Sequence, residues 1–132
     1  MSATFSLNVD KSRNLVRITM AGLFTPADIR DFLDARRVAH AQLDCGPNQH
    51  LTLNDVRGMK IQPQESVAGF QQLLAAPEYR SRRLAFVAAR TLARSQLMRA
   101  LSNREAQCFE DVASAEMWLF AEEDRVPRRA YG

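Results

Sequence analysis

One segment, Leu84 to Ala89 (LAFVAA), is apolar at every position and lies between two segments with helical spacing. Parallel strands that are covered on both faces of a sheet have this uninterrupted apolar pattern, whereas half-exposed strands alternate. The segment therefore predicts an α/β fold in which Leu84–Ala89 is a central strand between parallel neighbours.

Length and composition predict one globular domain. The chain has 132 residues, 46% of them hydrophobic and 25% charged, which is enough to form a core. We expect residues 1–123 to form the domain and residues 124–132 a short frayed tail. No segment approaches the roughly 18 apolar residues of a membrane span, and two cysteines cannot form a disulfide framework. These observations favour a cytoplasmic protein.

The order of predicted elements is β-β-α-β-α-β-α-β-α. Thr25, Pro26 and Asp28 together form a helix start, with a threonine cap, a proline in the first turn and an acid near the positive helix end. The remaining signals predict an N-terminal hairpin (Phe5–Val9 and Leu15–Met20), a first helix to about Leu43, a strand at His50–Val56, a second helix from Gln62-Pro63 to Pro77, a third from Thr91, a strand at Glu105–Phe109 and a final helix from Asp111 to about Phe120. This order predicts a mostly parallel sheet with one antiparallel edge.

The element order and several segments resemble the STAS and SpoIIAA-like superfamily, which is related to the Sec14-like fold. The segments are Leu51-Thr52-Leu53-Asn54-Asp55, Leu84-Ala85-Phe86-Val87 and the ending Phe109-x-Asp111-x-x-x-Ala115-x-x-Trp118-Leu119. The resemblance implies a single SpoIIAA-like domain with about five strands and four helices. It also implies one of two functions, that of an anti-sigma-factor antagonist switched by phosphorylation or that of a Sec14-like lipid carrier.

One departure from the antagonist pattern is informative. In that pattern the strand that corresponds to Leu51–Val56 leads to an Asp-Ser pair that opens the next helix, and the serine takes the phosphate. Here the equivalent stretch is Met59-Lys60-Ile61-Gln62, and the first hydroxyl is Ser66, a turn inside the helix. A helix start still favours an anion. Without an acceptor hydroxyl, however, we predict that the phosphoswitch is absent.

The sequence carries no motif of a common enzyme class. It contains no G-x-S-x-G elbow, Walker loop, G-x-G-x-x-G turn or H-E-x-x-H helix. His40 and His50 have no metal-ligand spacing with Cys45, and Cys108 has the apolar neighbours of a core residue. We therefore expect no catalytic residue, no metal and no cofactor.

The first candidate site lies after two strands of the predicted parallel sheet. Ligands of open α/β sheets collect at the carboxyl ends of the strands. The polar groups that follow the two strands are Asp55, Arg57, Lys60, Arg90, Thr91 and Arg94. If the strands are neighbours, these groups converge on an anion site. The alternative is that Asp55 pairs locally and the arginines are solvated.

A second candidate site lies on the first helix. Arg36 and His40 fall near the stripe formed by Ile29, Phe32 and Leu43, where apolar side chains are expected. They predict a basic wall of a cleft under the helix that holds an acidic head group. The alternative is that Arg36 reaches from the edge of the stripe to a carboxylate while His40 is half-exposed.

These observations favour a non-enzymatic regulatory or binding module, of the kind found in bacteria, whose partner is a protein or a small anionic ligand. The alternative function is a carrier of a lipid or another apolar molecule in a cavity between sheet and helices. The net charge of +3 comes from arginines scattered among carboxylates, so we expect no nucleic-acid partner. The sequence leaves open whether the protein forms a homodimer.

Overall fold

The computed structural model describes residues 2–89 and 106–131. Its strands are β1 (Thr4–Asp10), β2 (Leu15–Gly22), β3 (Leu51–Met59), β4 (Arg83–Val87) and β5 (Ala106–Phe109), and its α-helices are α1 (Pro26–His40), α2 (Gln64–Ala75) and α3 (Val112–Tyr131), with a 3-10 helix at Pro77–Tyr79. The sheet order is β1-β2-β3-β4-β5. Strands β1 and β2 are antiparallel, and the other pairs are parallel. The predicted mixed sheet with an antiparallel N-terminal edge is confirmed.

Strand β4 lies inside the sheet, between β3 and β5, as its unbroken apolar sequence predicts. Residues 84–88 are almost completely buried, with Phe86 1% exposed, whereas the last residue of the predicted strand, Ala89, is exposed. Both neighbours of β4 are parallel to it. The central position of this segment is therefore confirmed, and the strand itself ends at Val87.

Helices cover both faces of the sheet. On one face α1 and α2 pack through Ile29, Phe32 and Phe70 against the apolar side chains of β2. On the other face α3 packs through Ala115 and Leu119 against β3 and β4. Because both faces are covered, the side chains of residues 51–54 of β3 and 84–87 of β4 are buried on either face, whether they are apolar or polar.

The start of α1 follows the capping logic of its sequence. The Thr25 hydroxyl accepts a hydrogen bond from the Asp28 N–H at 3.2 Å, and the Asp28 carboxylate accepts from the Thr25 N–H at 2.8 Å. This reciprocal pair is a capping box. The helix ends at His40, three residues before the predicted position, because its last carbonyls are already engaged by the tight turns at residues 41–43.

Helix α2 is attached to the chain segment that precedes α1. The buried Ser66 hydroxyl donates to the Phe24 carbonyl at 2.5 Å, and the Gln62 side chain accepts from the Phe24 N–H at 2.8 Å. The Gln62 amide nitrogen donates to the Gly22 carbonyl at 3.0 Å. These hydrogen bonds hold the beginning of α2 beside the beginning of α1. The groove between the two helices is therefore held in place at this end.

Two predictions concern the helices that follow β4. The helix predicted from Thr91 lies outside the described residues, so the described part of the chain has three α-helices and not the predicted four. The last helix does not end near Phe120 but continues to Tyr131. Its continuation contains Ala121, Glu122 and Glu123, which favour helix, and the predicted tail is therefore helical.

Candidate functional site

The first predicted site, at the carboxyl end of β3, is occupied by a local ion pair. Two nitrogens of the Arg57 guanidinium donate to the two carboxylate oxygens of Asp55, at 3.0 and 2.7 Å. Arg57 lies within β3, not after it, because β3 continues along β2 beyond its last pairing with β4 at Asp55. The side chain of Arg57 is 48% exposed and that of Asp55 18%.

The titration of these groups reflects the same pairing. Hydrogen bonds from Arg57 hold the pKa of Asp55 below its usual value, and the Asp55 carboxylate raises the pKa of Arg57. The pKa of Asp111 is also lowered, first by hydrogen bonds from Ser114 and further by the charge of Arg57. Asp55 and Asp111 therefore both offset the positive charge of Arg57. For Asp55, the alternative of a local ion pair describes the structure correctly.

The remaining members of the first site are only partly placed. Strands β3 and β4 are neighbours, which is the condition that the predicted convergence required. Lys60 is exposed, and its backbone N–H donates to the Gly22 carbonyl. Arg90, Thr91 and Arg94 lie outside the described residues. An anion site at this edge therefore stays a prediction.

The second predicted site lies under α1, where β3 presents two buried polar residues to the helices. Thr52 and Asn54 alternate with leucines that face α3, so they point to the face covered by α1 and α2. Their partners in the neighbouring strands are apolar, namely Val16 and Leu84 beside Thr52, and Ile18 and Phe86 beside Asn54. Two polar side chains therefore interrupt an apolar face at its centre.

Arg36 reaches this region from α1. Its side chain is buried, with 7% of the residue exposed, and one terminal nitrogen donates to the Leu73 carbonyl of α2 at 2.9 Å. The guanidinium carbon lies 4.2 Å from the centre of the Tyr79 ring. Arginine suits such a position because its planar cation stacks on aromatic rings and sheds water more easily than an ammonium group.

His40 and His50 extend the polar cluster from α1 to the residue before β3. His40 Nδ1 lies 2.9 Å from the Arg36 carbonyl oxygen, so Nδ1 carries the proton and donates. His40 Nε2 is then an acceptor, and His50 Nε2–H donates to it across 3.1 Å. Ser81 Oγ lies 3.3 Å from the same His50 nitrogen and 2.5 Å from Thr52 Oγ1.

With His40 neutral, its Nε2 accepts the hydrogen bond between the rings and His50 Nε2–H donates it. Burial lowers the pKa of His40 below its usual 6.5, and the positive charge of Arg36 lowers it further, against an opposing effect of the backbone hydrogen bond. Geometry and electrostatics agree that the imidazole is neutral at pH 7.

Two concave spaces meet at Arg36. The polar cavity, of about 40 Å³, lies between β3 and the two helices and is partly open, and its polar lining residues are Arg36, His40, Thr52, Asn54, Tyr79 and Ser81. The α1–α2 groove, of about 490 Å³, runs along the surface between the helices, and Ile29, Leu33, Leu73 and Gly69 contribute its apolar part. Both spaces share Arg36, Leu73, Ala76 and Tyr79.

Gly69 allows the close approach of the two helices. A Cβ atom at this position would lie 3.0 Å from the Cδ1 atom of Ile29. The glycine therefore marks a position where α1 and α2 pack closely at the groove.

Sequence reasoning found Arg36 and His40 and missed the other members of the polar cavity. Arg36 is buried, not placed at the solvent edge of its helix, and His40 is half-buried. The missed residues are His50, Thr52, Asn54, Tyr79 and Ser81. A signal existed for two of them, because a strand beside the apolar Leu84 segment is covered on both faces and its alternating polar residues must be buried.

Other candidate groups take structural roles. Cys108 is half-buried and packs against the cluster of Leu84 and Phe86. The Ser66 hydroxyl is fully buried and bonded to a carbonyl, which supports the prediction that it accepts no phosphate. Among residues 2–89 and 106–131, no three histidine, cysteine or acidic side chains are arranged to hold a metal ion. None of the described helices combines the length and the apolar character that a membrane span needs.

Comparison with known proteins supports the fold. No protein-family model matches the chain, and no curated protein matches it. Among solved structures, it is similar to an uncharacterized protein of the DUF3478 family with a SpoIIAA-like fold from Shewanella loihica PV-4. The TM-score is 0.70 at 15% identity, over 90% of this chain and 96% of the other. The chain thus has a SpoIIAA-like fold, as its resemblance implied.

Proposed function

We propose that this protein is a non-enzymatic binding module that holds a small amphiphilic acid in the α1–α2 groove, with the acidic group at Arg36. The proposal joins the two ligands predicted from the sequence, an anionic molecule and an apolar one. It places them under α1, at the second predicted site, and not at the carboxyl ends of the strands.

The observation that carries the proposal is the buried guanidinium of Arg36 in the wall of both concave spaces. Arg36 donates to the Leu73 carbonyl and stacks on Tyr79, and these contacts hold its cation at the boundary of the two spaces. Charge-assisted hydrogen bonds from arginine to a carboxylate are among the strongest available, and they gain strength where water is excluded. A carboxylate in the groove beside Arg36 would use both effects.

The groove supports the rest of the ligand. Its volume of about 490 Å³ falls within the roughly 300–1,000 Å³ typical of small-molecule sites. Ile29, Leu33 and Leu73 provide an apolar surface for a hydrocarbon body. At the carboxyl end of β3, by contrast, Asp55 already occupies the guanidinium of Arg57.

The arrangement of the polar cavity favours binding over nucleophilic catalysis. Ser81 Oγ lies near a histidine, but His50 Nε2 carries the proton that bonds to His40, so this nitrogen cannot serve as a general base for the serine. The His40 nitrogen that accepts this proton is itself occupied. The cluster is therefore suited to hold polar groups in fixed positions.

Calorimetric titration with octanoate tests the proposal. Octanoate has a carboxylate and a seven-carbon hydrocarbon chain, which suits the apolar part of the groove. We expect Arg36→Met, which keeps an unbranched side chain but removes the charge, to weaken binding at least about tenfold. The matched control is Arg17→Met in β2, whose side chain pairs with Glu116 of α3 on the other face of the sheet.

We expect Arg17→Met to bind octanoate as the unmodified protein does, because Arg17 lines neither the groove nor the polar cavity. Absence of octanoate binding, or equal binding by both variants, would contradict the proposal. Native mass spectrometry of protein purified from its host adds an independent result. A retained organic acid supports the proposal, whereas a clean unliganded mass favours the reading in which the partner is a protein.

A further inference from the structure

The polar cavity contains a buried acceptor that the described residues leave unmatched. The Asn54 Oδ1 atom has no hydrogen-bond partner, and the residue is only 7% exposed. Nearly all buried polar side-chain atoms in proteins have a partner, which is either a protein group, an ordered water or a ligand. The Asn54 oxygen therefore indicates a missing hydrogen-bond donor inside the cavity.

The residues around Asn54 indicate which second chemical group a ligand that supplies this donor must carry. Arg36 contributes a cation at the side shared with the groove. The described lining of the polar cavity includes no aspartate or glutamate, whereas Asp34, Glu65 and Glu78 line the groove. The hydroxyls of Thr52 and Ser81, which also line the cavity, bond to each other at 2.5 Å. A group that enters past Arg36 and Tyr79 therefore meets a cation first and a neutral acceptor next.

We infer that the ligand is a 2-hydroxy acid, with the carboxylate bound by Arg36 and the adjacent hydroxyl donating to Asn54 Oδ1. This inference rests on the proposed function and names its ligand class. The hydroxyl oxygen of a 2-hydroxy acid is two bonds from the carboxyl carbon. Such a molecule therefore carries an anion for Arg36 and, directly beside it, a hydrogen-bond donor for Asn54. The cavity of about 40 Å³ has room for roughly three waters, or for one such head group.

The size of the expected preference follows from the buried acceptor. A site built to bond a ligand hydroxyl discriminates against the analogue without it, because the protein acceptor is then left unpaired. We expect the unmodified protein to bind 2-hydroxyoctanoate at least about tenfold more tightly than octanoate. The two probes have the same charge and the same chain length, so the groove and Arg36 contribute equally to both.

The test is calorimetric titration of both acids, below their micelle concentrations, into the unmodified protein and two variants. Asn54→Ala removes the acceptor without filling the cavity and should abolish the preference while octanoate still binds. Asn8→Ala makes the same change at an exposed position of β1 and should keep the preference. The comparison in the unmodified protein stands even if one variant does not fold.

Each outcome decides the matter. Octanoate binding that depends on Arg36, together with equal affinity for both acids, would overturn this inference and leave the proposed function intact, since an ordered water then satisfies Asn54. A preference that persists in Asn54→Ala would also overturn it. If neither acid binds, both the inference and the proposed function fail.

Discussion

Replacement of Asn54 by leucine should make the protein more stable, although the residue is buried at the centre of a core face. The amide lies between Ile18 and Phe86 of the neighbouring strands, and its oxygen has no partner. A buried polar atom without a partner costs about 1–3 kcal/mol. Leucine removes this cost and adds apolar burial.

The cavity beside Asn54 makes the larger side chain tolerable. Leucine needs more volume than asparagine, and overpacking costs about 1–3 kcal/mol where no space exists. The adjacent cavity of about 40 Å³ provides that space. We therefore expect Asn54→Leu to raise the free energy of unfolding by about 1–2 kcal/mol, with a rise in Tm of roughly 3–8 °C.

Urea denaturation followed by far-ultraviolet circular dichroism measures this change. The midpoint should rise while the m value stays constant, because the same surface is exposed on unfolding. Asn8→Leu, at an exposed position, should change stability by less than about 0.5 kcal/mol. A loss of about 1 kcal/mol or more in Asn54→Leu would refute the reasoning, since it would show that the native amide makes bonds worth keeping.

Three further predictions follow from the core, the histidine pair and the start of α2. Phe86→Ala should lower the free energy of unfolding by about 3 kcal/mol or more, because it empties an aromatic site in a central strand; an unchanged urea midpoint would contradict this. The lowered pKa of His40 means that its contribution to stability is fully present above pH 6.5 and is lost as the pH falls toward the folded-state pKa, so unfolding measured from pH 5 to 8 should show a decline on acidification that is smaller in His40→Gln. An equal decline in both proteins would assign it to other groups. Intact mass of protein from growing cells should show no phosphate adduct, and extensive phosphorylation of Ser66 would contradict the predicted absence of the switch.

The fold was predictable because its signals are local. The apolar run at Leu84 predicts a central strand wherever its neighbours lie, and Thr25 with Asp28 predicts a helix start by a hydrogen-bond pattern contained in four residues. Alternation at Phe5 and Leu7 predicts a strand with one covered face. Each of these features forms through contacts that its own segment specifies.

The site was less predictable because its members come from four elements. Thr52 and Asn54 alternate with leucines, and alternation usually marks a strand with one solvated face. Their burial depends on α1 and α2 covering that face, which no local pattern states. Tyr79 and Ser81 belong to a connection whose path over the cavity is fixed by contacts distant in sequence, among them hydrogen bonds from the Asn48 amide to the Pro77 and Arg80 carbonyls.

The final lengths of elements also depended on tertiary contacts. Strand β3 extends to Met59 because β2 continues to pair with it beyond the last residue of β4. Arg57 therefore lies on a strand, in reach of the Asp55 carboxylate two residues earlier, and not in a loop. The predicted convergence with Arg90 stays a prediction, because that residue lies outside the described part of the chain.

The most direct test of the central claim is a nuclear magnetic resonance titration of the labelled protein with octanoate. Binding in the α1–α2 groove predicts that the backbone amide of Gly69 and the side-chain signals of Arg36 and Asn54 shift together, with one dissociation constant. Signals of Arg57 and Lys60, at the carboxyl end of β3, should stay in place. Shifts confined to Arg57 and Lys60, or no shifts at all, would contradict the account.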